Sequence, residues 1–274
     1  MEPTPGVRLA LQPRHALQVL GGFVLFLLAL HIGLQWVRLH FGPETGKTLV
    51  HLFDMDSEGN IPALFSGTLF FINSLLFHLA WRAQGSAPGR EPLWLVLCIV
   101  FLFLGIDEIG ALHERLIRPL REALPGTGGG VFRFAWVIPY GVATIVIAIL
   151  CLPVLRRLGV RLASLLALSS IVYVTGALGL EMVGGRYLEV SGQAALDRSP
   201  GYVILTTTEE ALEMAGLVLC VYALLVLLQE RGGVTLSLQS DPKARRSPVD
   251  SVNNDEGAPR RSPDPARGAK GGAG

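Results

Sequence analysis

The chain has 274 residues, of which 50% are hydrophobic and 16% charged, with a formal net charge of +1 and a mean hydropathy of +0.47. That balance is too apolar for a water-soluble domain and describes a chain embedded in a lipid bilayer. No basic face interleaved with aromatic residues occurs outside the C-terminal tail, so nucleic acid is excluded as a partner.

A spanning helix needs about 20 mostly apolar residues, and the first window that meets this runs from Ala16 to Val37. Arg8 and Arg14 precede it in the manner of a signal peptide. It is too long for an h-region, however, and no small-residue cleavage pattern comes after it, so it is expected as a retained helix. The segment Gly42-Pro-Glu-Thr-Gly46-Lys47-Thr48 has three residues between its glycines where a phosphate-binding loop has four, and no strand precedes it. Asp54, Asp56 and Glu58 fill early positions of a calcium loop, but Phe65 stands where the bidentate glutamate belongs. A turn leading through Pro62 into the next helix is expected there instead of a calcium site.

The second window is Ile61 to Trp81. Its Ser74-x-x-x-His78 is similar to the Ser-x-x-x-His of intramembrane zinc hydrolases of the ceramidase and progestin-receptor type. The His-x-x-x-His pair those enzymes also need is missing, so His78 reads as a core or interfacial histidine. The remaining windows are Leu93 to Leu112, Phe132 to Leu155, Leu162 to Met182 and Tyr202 to Gln229. The expected fold is therefore all-α: an integral membrane bundle of six transmembrane helices in one domain, residues 1–230. From residue 231 to 274 the composition turns to Gly, Pro, Ser, Arg and Asp without aromatics, which predicts a disordered tail. Cys98, Cys151 and Cys220 lie in apolar runs without C-x-x-C spacing and read as packing residues. No internal repeat supports an inverted-repeat transporter.

Ionisable side chains are costly within a bilayer and mark function. Asp107, Glu108, His113 and Glu114 lie near the end of the third window, Glu181 near the end of the fifth, and Glu209, Glu210 and Glu213 near the start of the sixth. The third and fifth helices run in the same direction and the sixth runs oppositely, so all eight residues fall toward one membrane face. At 1.5 Å per residue Glu213 lies about 15 Å below the start of its helix. Thr206, Glu209, Glu210 and Glu213 share about a 100° arc of helix six. On helix three, His113 points well away from Glu108, and the two can enter one pocket only if the helix unwinds near Gly110.

Lys and Arg in short loops set orientation. Arg82 and Arg90, then Arg156, Arg157 and Arg161, then Arg231, Lys243, Arg245 and Arg246 share a side with Arg8 and Arg14. That side is expected to be cytoplasmic, with both termini on it and the acidic pocket facing outward.

The segments Asp54-Met-Asp56-Ser-Glu58-Gly-Asn60-Ile61-Pro62, Asp107-Glu108 through His113-Glu114, and Glu209-Glu210-Ala-Leu-Glu213-Met214-Ala-Gly216 resemble the "D-D-E-NIP", "LDE…HE" and "EE-LEM-G" segments of an uncharacterised family of bacterial multi-pass membrane proteins. The resemblance covers about residues 45 to 228. Gly105-Ile106 departs from it where Ser-Leu would precede the Asp-Glu pair, a change that leaves the acids intact. It implies a bacterial inner membrane and underlines the acidic segments without supplying their role.

Converging carboxylates and a histidine are what a helical bundle uses to hold zinc, iron or manganese. The leading expectation is a metal-dependent membrane enzyme acting on a lipid or other membrane-soluble substrate. Its metal ligands would come from Asp107, Glu108, Glu114, Glu209, Glu210 and Glu213, and its acid–base groups would be His113 and Glu181. His31 and Gln35 are possible neighbours of the pocket. A proton- or cation-coupled transporter in which the same acids titrate is the second reading. A structural or sensory subunit, its acids paired with Arg115, Arg118, Arg133 or Arg186, is the third.

Overall fold

The structure, a computed structural model, describes residues 8–9, 12–42, 44–85, 91–124, 126, 128–192, 199–232 and 236–237. Helix α1 spans Pro13–Phe41, with Pro13 in the first turn, where a missing N–H costs nothing, and it stops at Gly42 in a positive-φ conformation (98°). A short α2, Lys47–Phe53, comes next. The acidic segment then turns into α3, Ile61–Arg82, as expected: the Asn60 side-chain oxygen caps the helix by accepting the Ala63 N–H at 3.1 Å.

Helix α4, Leu93–Gly110, ends two residues before the predicted window does, because Ala111 adopts a left-handed conformation (φ 50°) and the chain restarts as α5, Leu112–Ala123. Helix α5 is amphipathic, with Leu112, Leu116, Ile117 and Leu120 along one side and Glu114, Arg115, Arg118 and Glu122 along the other. A single 3₁₀ turn, Gly130–Phe132, leads to α6, Val137–Arg157. The fifth span is composite: α7, Val160–Val174, continues through a π-helical turn, Thr175–Leu180, into α8, Glu181–Ser191. Helix α9, Pro200–Glu230, closes the bundle.

Six of these segments are long and apolar enough to cross a membrane, at 13–41, 61–82, 93–110, 137–157, 160–191 and 200–230. In a bilayer the backbone must satisfy its own hydrogen bonds, which is why each apolar run is a helix. The protein is a multi-pass membrane protein, and α6 presents Val142, Ile145, Val146 and Ile149 outward at 50–61% exposure, as a lipid-facing helix does.

Helix α9 is the central element, packed by α1, α3 and α7. From Gly216 to Leu228 nearly every residue is buried, Leu217 and Val218 against Leu27, Leu69 and Phe70, and the residues from Cys220 onward in an apolar cluster with Leu76, Phe77, Trp94 and Leu166. Between apolar helices in lipid, close approach stabilises contact more than hydrophobicity does, and small residues permit it. Gly216 packs so tightly against Tyr173 that a Cβ would come within 2.7 Å of its backbone nitrogen.

The terminal segments, Met1–Leu9 with Leu236–Gly274, form a separate unit. Its described part is an antiparallel pairing of Arg8 with Ser237 and Leu9 with Leu236. The predicted disordered tail, 231–274, falls almost wholly outside the described residues.

Candidate functional site

All eight ionisable residues singled out in the sequence line one cavity of about 290 Å³ near one end of the bundle. They reach it by three different local devices. On α9 the device is ordinary helical spacing, which stacks Glu209, Glu210 and Glu213 over one turn, about 15–20 Å from the helix start at Pro200. On the fifth span it is the π-turn. The wider turn shifts the phase of α8 by about one residue, roughly 100°, and Glu181 is the first residue after it. Gly176 within this turn lets its backbone lie against α9, where a Cβ would sit 2.8 Å from the Glu209 carbonyl oxygen.

The third device is the break at Ala111. The straight-helix wheel keeps Glu108 and His113 apart, and the left-handed residue removes that restriction by folding α5 back over the cavity. Asp107 closes the break: its Oδ1 accepts the His113 backbone N–H at 2.7 Å and lies 3.4 Å from His113 Nδ1. Its Oδ2 accepts the Tyr140 hydroxyl at 2.7 Å. Asp107 is buried, so the hydrogen bond that each of its oxygens accepts, with the His113 ring beside Oδ1, fixes both its rotamer and the start of α5.

Sequence reasoning missed part of the lining. Asp56 and Glu58, weighed only as calcium ligands, belong to the cavity, as do Trp136, Tyr140, Tyr173 and Tyr202. The helix count that grouped the other acids also places the Asp54–Asn60 turn and the start of α6 at that membrane face, so topology could have found them. His31 and Gln35 hold the turn from behind without lining the cavity. Gln35 Nε2 donates to Asp54 Oδ1 at 3.1 Å, and the Met55 N–H donates to His31 Nδ1 at 3.2 Å. In the matching tautomer His31 Nε2–H donates to Thr207 at 3.0 Å, tying turn, α1 and α9 together.

Glu58 consequently faces His113, with Oε1 3.3 Å from Nε2. Burial, reinforced by Glu114 and Asp107, pushes the Glu58 carboxyl up to about 7 despite the opposing pull of His113 and Arg115. For His113 burial alone lowers the pKa, but the hydrogen bond and charge of Asp107, with Glu58 and Glu108, outweigh it and raise the pKa overall. Glu58 therefore exchanges its proton close to neutrality, beside an imidazole whose protonated form its acidic neighbours favour. Trp136 packs on the His113 ring at 4.7 Å between centroids and donates its indole N–H to Glu181 at 3.2 Å.

The cavity walls carry nine carboxylic acids, one histidine and neither lysine nor arginine. Two arginines considered as partners for these acids are engaged elsewhere: Arg118 pairs with Glu122 at 3.0 Å and Arg186 with Glu189 at 2.5 Å. Among the described residues no three of His, Cys, Asp and Glu stand preassembled around one point as a metal site. Ser74 and His78 lie apart from the cavity. Ser74 donates to the Cys98 carbonyl at 2.7 Å, and His78 packs near Trp81.

A family model described as a domain of unknown function (DUF8692) matches residues 19–227. No curated protein and no solved structure matches the chain.

Proposed function

The chain belongs to the DUF8692 family, whose function is unknown, and for this member we propose that the acidic cavity binds a divalent metal ion and supports acid–base chemistry on a lipid or other membrane-soluble substrate. The observation that carries this reading is the composition of the walls: nine carboxyl groups and an imidazole face a shared space without one basic side chain. Such a set needs cations or protons for neutrality, and its hard oxygen donors with one nitrogen suit zinc, iron, manganese or magnesium.

In this reading Glu108, Glu209, Glu210 and Glu213 are the ligands, brought together by side-chain rotation on α4 and α9. A bound metal would supply Lewis acidity and lower the pKa of water at the site. Asp107, with both oxygens already accepting hydrogen bonds, orients His113, which takes or delivers the proton with Glu58 beside it. Glu181, held by Trp136, is the second proton-handling group. Glu114 at the exposed rim draws cations in.

A one-sided cavity suits a binding or catalytic site better than a conduit. Beyond Glu213 the buried side chains of α9 from Leu217 to Leu228 are apolar apart from Cys220, so α9 offers no further carboxylate within this buried stretch. With Arg14, Arg82, Arg156 and Arg161 at that other end, the positive-inside rule favours a mouth on the non-cytoplasmic side.

Elemental analysis of the detergent-purified protein tests the reading. Stoichiometric divalent metal in the wild type, lost in Glu210→Gln/Glu213→Gln, is the expected result. Absence of bound metal after incubation with each candidate ion, or metal content unchanged in the double variant, would overturn it.

A further inference from the structure

At the end of the bundle opposite the acidic cavity, α1 and α7 begin and α9 ends around a groove of about 310 Å³. Its polar lining is Gln12, Arg14, Arg161, Tyr222, Gln229 and Glu230. Arg14 and Arg161 are each the second residue of a membrane-spanning segment, so both guanidinium groups sit at the depth of lipid headgroups. Among the described residues neither forms an ion pair, whereas Arg118, Arg157 and Arg186 pair with Glu122, Glu91 and Glu189. Two forked donors facing one groove match the oxygens of a phosphodiester. Neither α1 nor α7 has a side-chain cap, so the first-turn N–H groups of both helices add positive potential there. With Glu230 counted, the groove retains an excess of one positive charge, which favours a ligand of net negative charge.

The apolar continuation points to a lipid as the source of that phosphodiester. Arg14, Gly21 and Leu25 share one stripe of α1, since steps of seven and eleven residues return to the same face. A side chain at Gly21 would meet nothing within 4 Å, and Leu25 is 68% exposed. On α7 the corresponding stripe runs from Arg161 to Leu168, 49% exposed. The charged groove therefore opens directly onto open apolar surface, where acyl chains fit and a free phosphate gains nothing. We propose that this groove binds the headgroup of an anionic phospholipid, with Arg14 and Arg161 on its phosphate and its chains along α1 and α7.

The site is independent of the acidic cavity, and native mass spectrometry of the full chain in detergent tests it with phosphatidylglycerol, phosphatidylethanolamine and phosphatidylcholine as probes. Phosphatidylglycerol is expected to bind about ten-fold better than phosphatidylcholine. Arg14→Gln or Arg161→Gln should each lose about five-fold, and the pair more than ten-fold. Arg118→Gln, at the other membrane face, should leave binding unchanged, and the double Lys variant should retain most of the preference. Equal binding of the three lipids, undiminished binding in the double Gln variant, or an equal loss in Arg118→Gln overturns the proposal. Competition by glycerol phosphate as strong as that by the lipid overturns it too, since the ligand would then be a soluble phosphate. If the double Gln variant does not fold, the Lys pair decides: affinity for phosphatidylglycerol no better than for phosphatidylcholine refutes the arginine site.

Discussion

Substituting Gly176 by alanine tests whether the π-turn is held against α9 as closely as its geometry implies. A Cβ at this position would lie 2.8 Å from the Glu209 carbonyl oxygen, 2.9 Å from Glu213 Cγ and 3.2 Å from the Glu213 nitrogen. Ordinary contacts are about 3.5–4.0 Å, so the two segments must part by roughly 1 Å. Two of the three obstructing atoms are backbone, and α9 is also packed by α1 and α3, so no rotamer change relieves the clash. Overpacking of this kind costs about 1–3 kcal/mol. For a chain of this size that lowers the unfolding midpoint by about 2–12 °C. Gly33→Ala is the control, because a side chain on that exposed turn of α1 meets nothing within 4 Å. It should gain about 0.5–1 kcal/mol from reduced backbone entropy. Thermal unfolding in detergent, followed by intrinsic tryptophan fluorescence, measures both. A Gly176→Ala midpoint within a degree of wild type, or an equal fall in Gly33→Ala, would refute the close approach.

Three further outcomes are expected from the elements around the cavity. Ala111→Gly should stabilise the protein by about 1 kcal/mol, because only glycine adopts φ near 50° without strain, and a lowered unfolding midpoint would count against the left-handed break. Asn60→Ala removes the cap on Ala63 together with the side-chain bonds to the Asp54 and His51 carbonyls, and should cost about 1–2 kcal/mol in the same assay. Glu58→Gln should act in a pH-dependent way. Because the folded carboxyl titrates at about 7, above its ordinary 4.5, the stability it contributes is full below about pH 4.5 and lost as pH rises through 7. Relative to wild type the amide, which cannot ionise, should therefore gain steadily across that interval in metal-free protein, and a stability difference unchanged between pH 5.5 and 8.5 would contradict it.

The six spans were legible in the sequence because a bilayer leaves an apolar run of about 20 residues no alternative to a helix. The same constraint makes direction alternate from span to span, and counting spans was enough to bring Asp107, Glu108, Glu114, Glu181 and the α9 glutamates to one face. How the residues of different helices come to share a space was only partly legible. The wheel of an unbroken helix separates Glu108 from His113, and the break that reunites them falls on Ala111, next to the Gly110 where the sequence allows unwinding but does not require it. Asp107 and Tyr140, 33 residues apart, hold it there. Glu181 enters through a π-turn whose close approach depends on Gly176 meeting α9. Glu58 reaches His113 only because His31 and Gln35, more than 20 residues upstream, pin the intervening turn. The sequence by itself determined what must lie in the membrane and at which face the acids gather, since hydropathy and chain direction act locally. The tertiary structure alone decided that they line one cavity, since that depends on contacts between segments far apart in the chain.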